Sequence, residues 1–565
     1  MLVGKPEGAV AQEVRSPATG EIVGTVMVAT VGDVDAALAA AQSWKNGWAA
    51  RPAGERAALL RRAADLYEAH APELLALCAR EAGKTLADSV GEVREAVDFL
   101  RYYAAEAEKA EERRPLGVFA CISPWNFPLA IFTGQIAAAL VAGNAVLAKP
   151  AETTPLIAAR AISLLHEAGI PREVLQLLPG DGGTIGAALV SDPRVDGVCF
   201  TGSLATAKSI DRAMADHLAP TAPLIAETGG INAMIVDSTA LPEQAVRDIL
   251  ASAFQSAGQR CSALRMLYVQ EEAAERTLEM LYGAMDELAI GDPWRLETDV
   301  GPVIDETARR RIEEHVAAFE NRGELLKRVP VPEEGIFTAP VVLGVSGIAE
   351  LEEEIFGPVL HVATYKPDEI DQVVEAINAA GYGLTFGLHT RIDARVDLLG
   401  GRVRAGNIYV NRNQIGAVVG SQPFGGEGLS GTGPKAGGPH YLPRFSRPLT
   451  AHVPSGAVNG LSGLSIGFAI GAVGQVRAAL DAAAMAPIAI EMAGPTGEAN
   501  TLNVYPRGVV LCLGPDEVSA RAQAELALER RNGVLVVAPG AQRIAADLGV
   551  AGTVIAGVDK RLAPA

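Results

Sequence analysis

A chain of 565 residues is too long for one compact core and predicts two or three domains, and its 49% apolar, 20% charged and 5% aromatic residues describe a folded globular body. A formal net charge of −19 leaves no basic stripe to track a phosphate backbone, so no nucleic-acid partner is expected. The five cysteines (Cys78, Cys121, Cys199, Cys261, Cys512) are odd in number, scattered, and without CxxC or Cys/His spacing, which argues against a disulfide framework and a metal site.

In chain order, Met1-Leu2-Val3-Gly4-Lys5-Pro6 lacks a basic-then-apolar signal, so the cytoplasm is the expected compartment. Residues 31–110 repeat Ala, Leu and Arg/Glu at spacings of three and four, as in Ala57-Ala58-Leu59-Leu60-Arg61-Arg62-Ala63, and predict amphipathic helices. After Arg114-Pro115, short apolar runs at 116–122, 145–149, 174–178 and 197–201 alternate with helices, the texture of a parallel α/β sheet. A second series starts near Ala233, passes through 266–270 and 357–365, and ends near Phe445. Beyond Arg447, a segment rich in Gly, Ala and Pro leads to an apolar run at 509–513, a helix over 517–529 and a run at 534–539, one βαβ unit. Residues 456–474 are apolar but dominated by small residues, and read as packing inside protein; no membrane span is expected. The fold class is therefore α/β, with two Rossmann-type α/β domains plus a small C-terminal α/β segment.

Four local patterns bear on chemistry. In Gly258-Gln259-Arg260-Cys261-Ser262 a cysteine follows small and polar residues on a loop leading into a strand, where a thiolate would be reachable, although a lone cysteine is more often a buried small hydrophobe. Glu227-Thr228-Gly229-Gly230 puts a carboxylate on a flexible glycine loop, able to activate water if burial raises its pKa; a solvated or capping carboxylate is the bland alternative. In Pro124-Trp125-Asn126-Phe127-Pro128 the Asn126 amide suits an oxyanion hole, a role worth about 3–4 kcal/mol, against a simple tight turn with a packed Trp. Finally, Leu178-Pro179-Gly180-Asp181-Gly182-Gly183-Thr184-Ile185-Gly186 follows a strand without the usual Rossmann spacing, while in Phe200-Thr201-Gly202-Ser203 the serine sits where it caps the next helix and can donate to a pyrophosphate. Lys149 and Glu152, at another strand end, suit a ribose diol.

Together, in this order and over residues 10–450, these residues resemble the aldehyde dehydrogenase superfamily, and Glu354-Ile355-Phe356-Gly357-Pro358 is similar to the motif that holds the nicotinamide end of NAD. The resemblance implies Cys261 as nucleophile, Glu227 as general base and Asn126, with the Cys261 N–H, as oxyanion donor. It implies NAD contacts from Ile122, Trp125, Lys149, Glu152, Gly182, Gly186, Thr201, Gly202, Ser203, Glu354 and Phe356; Glu152 would repel the 2′-phosphate of NADP. Gly406-Asn407-Ile408-Tyr409-Val410-Asn411-Arg412-Asn413, Gly416-Ala417-Val418-Val419-Gly420 and Pro423-Phe424-Gly425-Gly426 resemble the glutamate semialdehyde dehydrogenases. In that group the N–H groups matching Gly416 and Ala417, with the Ser262 hydroxyl, anchor an α-carboxylate, Phe127 and Phe424 join the substrate site, and Glu95 matches a carboxylate facing the amino group.

Ile122-Ser123-Pro124-Trp125-Asn126, Ser430-Gly431-Thr432-Gly433-Pro434-Lys435-Ala436-Gly437-Gly438 and Gly494-Pro495-Thr496-Gly497-Glu498 are similar to the dehydrogenase module of the proline utilization A family. No proline dehydrogenase barrel precedes the module and the tail stops after one βαβ unit, as in an isolated or trimmed module. The resemblance implies oxidation of L-glutamate γ-semialdehyde, from ring-opened 1-pyrroline-5-carboxylate, to glutamate through a thioester on Cys261 in proline catabolism. Expected partners are the small-molecule substrate, a second copy in a homodimer, and a functionally coupled proline dehydrogenase; the stretch from Ala110 to Pro115 is short where many relatives carry an oligomerisation hairpin. Two other readings stay open: a dehydrogenase for another semialdehyde or an aliphatic aldehyde, and a catalytically silent scaffold. The expected domains are NAD-binding with N-terminal helices (1–226), catalytic (227–410), substrate anchor loop and return (411–450) and a C-terminal α/β tail (451–565).

Overall fold

The computed structural model describes residues 10–449, 466–467, 487–514, 516–538 and 540–548. An antiparallel hairpin, Ala11–Arg15 with Ile22–Met27, precedes four helices, Val31–Ala49, Ala53–Ala69, Ala71–Ala82 and Leu86–Lys109. Local chemistry sets their ends. Thr30 and Asp33 close a capping box, Thr85 caps the Asp88 N–H, and Gly83 at φ +66° ends the third helix. Ala57, Ala63, Ala64, Ala96 and Ala104 are fully buried, so these helices approach closely and share one core with the sheet that follows.

That sheet is five parallel strands ordered Leu175–Leu177, Ala145–Lys149, Val118–Ile122, Gly197–Gly202, Leu224–Thr228. Every residue of Val118–Ile122 and Ala145–Lys149 is buried, because helices cover both faces. The strand order reverses beside Val118–Ile122, and at such a switch point the carboxyl ends of the strands open a ligand crevice.

A second sheet has seven strands ordered Leu325–Arg328, Val341–Gly344, Val359–Tyr365, Leu264–Gln270, Asn232–Val236, Thr385–His389, Asn407–Val410, all parallel except the first, with apolar clusters on both faces. Four of these strands, at 325–328, 341–344, 385–389 and 407–410, lie beyond the runs expected from sequence. The expected boundary at 226/227 falls inside Leu224–Thr228. Glu227 is therefore not on a flexible glycine loop but in a strand, paired with Thr201, because the glycines follow the strand end. From there Gly229-Gly230-Ile231 carries the chain directly into Asn232–Val236, bringing the carboxyl edge of the first sheet beside the amino edge of the second.

After Asn407–Val410 the chain returns to the first core, where Tyr441, Leu442 and Phe445 are buried and Tyr103 accepts the Gly437 N–H at 2.9 Å. The compact unit ends at Arg447 and a second begins at Pro448. In the latter, Val509–Cys512 and Gly533–Val536 pair in parallel across the helix Glu517–Glu529, Ile466–Gly467 joins Gly533–Val536, and Ile488–Met492 with Asn500–Val504 form a hairpin whose connection contains Gly494-Pro495-Thr496-Gly497-Glu498. Apart from Ile466 and Gly467, the stretch 456–474 lies outside the described residues. Among the described residues no helix is long and apolar enough to cross a membrane, and no group of three or more His, Cys, Asp or Glu has the geometry to hold a metal.

The Asn144 side chain joins distant parts of the first unit. It accepts the Gly117 N–H at 2.8 Å and donates to the carbonyls of Ala139 (3.1 Å) and Phe445 (2.9 Å). Asn144→Ala leaves these buried groups unpaired and is expected to destabilise this unit by about 2–3 kcal/mol, read as a lower thermal unfolding midpoint.

Candidate active site

The turn before Cys261 is wound left-handed. Ser256, Ala257 and Gly258 have φ of 55°, 54° and 67°, a region that costs Ser and Ala about 1–3 kcal/mol each unless the surroundings enforce it. Asp88, near the start of the helix Leu86–Lys109, enforces it from one side: its carboxylate accepts from Gln255 Nε2 (2.6 Å), Ser256 Oγ (2.8 Å) and Arg260 Nη2 (2.7 Å). Arg265 holds the other side, donating to the carbonyls of Gly258 (2.7 Å), Gly357 (3.0 Å) and Arg260 (3.2 Å) and to Glu354 (3.1 Å). Gly258 is required here, since an added Cβ would collide with the Gly357 carbonyl. Asn232, opening its strand, donates to the carbonyls of Cys261 (2.7 Å) and Ala263 (2.9 Å), and Asn126 Nδ2 donates to the Gln259 carbonyl at 3.0 Å.

Cys261 keeps partial exposure, but burial, reinforced by Glu354, Glu227 and Glu95, pushes its thiol up to about 12 against the Ser262 N–H. The resting thiol is protonated and attack requires a base. Burial raises Glu227 to about 8, opposed by the Gly426 N–H (2.9 Å to Oε2) and Lys435, while Glu227 Oε1 is buried without a hydrogen-bond partner among the described residues. Glu95 also rises to about 8, from burial and then from Glu92. Beneath it Lys84 pairs with Glu92 at 2.9 Å, and Glu92 accepts the N–H groups of Leu129 and Ala130 at a helix N-terminus. The Phe127 ring lies within cation–π reach of Lys84 (4.4 Å) and Arg260 (5.5 Å).

Two spaces meet at Cys261. A small cavity of about 90 Å³ is walled by Cys261, Glu227 and all six expected substrate residues, Glu95, Phe127, Ser262, Gly416, Ala417 and Phe424. A cleft of about 1170 Å³ runs from the switch point of the first sheet to the other side of Cys261. Along it lie Asn126 and all eleven expected cofactor residues: Ile122, Trp125, Lys149, Glu152, Gly182, Gly186, Thr201, Gly202, Ser203, Glu354 and Phe356. Glu152 Oε1 accepts the Gly182 N–H (2.6 Å), Ser203 caps the helix Leu204–His217 through the Thr206 N–H (3.2 Å), and Phe356 packs edge-on against Trp125 with centroids 5.6 Å apart. A Cβ on Gly229 would strike the Glu354 carboxylate.

A model of the aldehyde dehydrogenase family matches residues 5–450. The chain belongs to the aldehyde dehydrogenase family. This aldehyde dehydrogenase is 50% identical over 547 residues to the bifunctional protein PutA of Klebsiella aerogenes, covering 91% of this chain but only 42% of that protein, so it spans about two fifths of that relative's length. It is 38% identical over 447 residues to the 1-pyrroline-5-carboxylate dehydrogenase of Geobacillus sp. (strain WCH70), covering 75% and 86% of the two chains. Among solved structures, a bifunctional proline utilization A (PutA) protein matches with a TM-score of 0.73 at 55% identity over 74% of this chain and 45% of that one. The 1-pyrroline-5-carboxylate dehydrogenase from Thermus with bound NAD matches with a TM-score of 0.73 at 36% identity over 77% and 88%.

Sequence reasoning did not single out the residues that hold the turn before Cys261, Asp88, Arg265 and the side chain of Arg260, or the neighbouring Lys84–Glu92 pair. A signal was present. Asp88, Glu92 and Glu95 fall at i, i+4 and i+7 on one helix face continuous with Phe99, a stripe that reads as solvated by default and is here turned inward. Asp88→Asn leaves Arg260 without its buried counter-charge; the expected outcome is a loss of about 3 kcal/mol in stability with slower alkylation of Cys261 by iodoacetamide, measured by thermal unfolding and by mass spectrometry of the modified peptide.

Proposed function

We propose that this aldehyde dehydrogenase oxidises L-glutamate γ-semialdehyde to L-glutamate with NAD. The observation that carries the reading is the position of Cys261 in the wall between the small cavity, which holds a base and the anchor loop, and the long cleft. Gly416 at φ +73° turns the chain so that its own N–H and that of Ala417 form an anion nest for the substrate α-carboxylate, joined by the Ser262 hydroxyl. Phe127 and Phe424 wall the aliphatic stem, and Glu95 faces the ammonium group.

The cleft suits a dinucleotide. Its length joins Glu152 and Gly182 at one end to Glu354 and Phe356 at the other, Lys149 Nζ donates to the Pro150 carbonyl (3.2 Å), and Ser123 Oγ is buried in its wall without a partner among the described residues. Lys149 and Glu152 would hold a ribose and Ser203 a phosphate, with Glu354 and Phe356 at the nicotinamide. Bound NAD supplies the hydride acceptor. On the protein side, Glu227 takes the Cys261 thiol proton as sulfur attacks the aldehyde, and the second Asn126 N–H with the Cys261 N–H receives the oxyanion. Glu227 releases that proton to solvent and then, again ionised, removes a proton from the water that hydrolyses the thioester.

Residues 1–226, 227–410 and 411–450 act as the cofactor, catalytic and anchor regions of this scheme, with 451–565 as an appended α/β tail. The likeness to bifunctional PutA over two fifths of its length supports a proline dehydrogenase as the source of substrate, and the family resemblance supports a homodimer.

Two outcomes follow. NADH formation with L-pyrroline-5-carboxylate should exceed that with propanal or succinate semialdehyde and vanish in Cys261→Ala; equal or faster use of the other aldehydes would end the substrate reading. Because Glu227 is raised to about 8, its base form is lost as pH falls through that value, so hydrolysis-limited turnover should rise with pH to a plateau above about 8. The stability sign is opposite: the buried neutral carboxyl stabilises the fold fully below the ordinary 4.5, and this is lost as pH rises through about 8. Rate and unfolding profiles between roughly pH 6 and 10, flattened in Glu227→Gln, check both.

A further inference from the structure

Gln135 lies on the buried helix Ala130–Val141 and is 4% exposed. Its amide Nε2 donates to Thr201 Oγ1 at 3.0 Å, which fixes the plane of the amide, and its Oε1 is buried with no hydrogen-bond partner among the described residues. Glu227 Oε1 is in the same condition, and both residues line the small cavity that Cys261 closes. A buried acceptor is rarely left unpaired. In the ionised form in which Glu227 acts as a base, its carboxylate and the amide oxygen cannot satisfy each other, since neither carries a hydrogen, whereas one water donating a hydrogen to each satisfies both. The cavity, at about 90 Å³, has room for it.

We propose that Gln135 is a further catalytic residue, holding the hydrolytic water jointly with Glu227 so that its lone pair faces the acyl group on Cys261. This rests on the thioester mechanism above and extends it. The water oxygen bonds to the thioester carbon while one of its protons passes to Glu227 Oε1. The tetrahedral intermediate then collapses, the C–S bond breaks, the Cys261 sulfur leaves with the electron pair, and the remaining acid proton goes to that thiolate or to solvent. Gln135 exchanges no proton. It accepts the hydrogen that is not transferred and thereby fixes the direction of attack, which matters for hydrolysis and not for the preceding attack of Cys261 on the aldehyde.

The test is rapid mixing of the full chain with NAD and L-pyrroline-5-carboxylate, following NADH, for wild type, Gln135→Met, Gln135→Glu and Cys261→Ala. Gln135→Met should produce a burst approaching one NADH per Cys261 at nearly the wild-type rate. It should then turn over roughly 100-fold more slowly, with the acyl mass found on the Cys261 peptide after quenching. Gln135→Glu, which keeps an acceptor oxygen at the same reach, should recover most of that loss. Steady-state turnover of Gln135→Met within roughly threefold of wild type, a burst slowed in step with turnover, or no recovery in Gln135→Glu would each overturn the proposal. NADH formation that survives in Cys261→Ala would instead remove the thioester reading beneath it.

Discussion

The site depends on a carboxylate that never meets substrate. Asp88 gathers Gln255, Ser256 and Arg260 onto two oxygens, and only with those bonds made can Ser256 and Ala257 stay left-handed and carry Cys261 to the cavity wall. Burial alone would raise the Asp88 pKa, but Arg260, Lys84 and the two donors outweigh it, so the carboxyl stays ionised below its usual range. The clamp is therefore less readily lost to protonation than an ordinary aspartate contact would be. Arg265 closes the opposite side on the carbonyls of the same turn and carries the link onward to Glu354 in the cofactor cleft.

Around this clamp the charges are arranged by burial more than by number. Asp88 pairs with Arg260 and Glu92 with Lys84, whereas burial lifts Glu95 and Glu227 to about 8. Carboxylates on adjoining elements therefore divide into members of close ion pairs and groups that burial moves toward neutral pH. The same low polarity holds Cys261 as a thiol until a base acts, so a passing electrophile meets no free thiolate.

The two sheets supply the geometry. Glu227 ends a strand of the first sheet, Cys261 sits just before a strand of the second, and the three-residue connection at 229–231 brings those edges together. Gly229 serves this meeting, because any side chain there would displace the Glu354 carboxylate. Neither sheet alone could bring Glu227 and Cys261 together.

Much of this was readable without coordinates. The helical periodicity over 31–110, the apolar runs at 145–149 and 197–201 and the helix at 517–529 are local patterns, and backbone preference with amphipathic spacing determines them. The motifs around Asn126, Glu227, Cys261 and Glu354, and the anchor loop at 416–417, were visible because each is a short contiguous string. The strands at 325–328, 341–344 and 407–410 were not, since they are brief and take their state from the neighbours they pair with. What only the tertiary structure decided was burial and partnership: that Glu227 lies in a strand with one oxygen unpaired among the described residues, that an acidic stripe on the helix 86–109 faces inward to Arg260 and Lys84, and that Gln135 shares a cavity with Glu227. These depend on desolvation and on contacts between residues far apart in the chain, which sequence spacing does not encode.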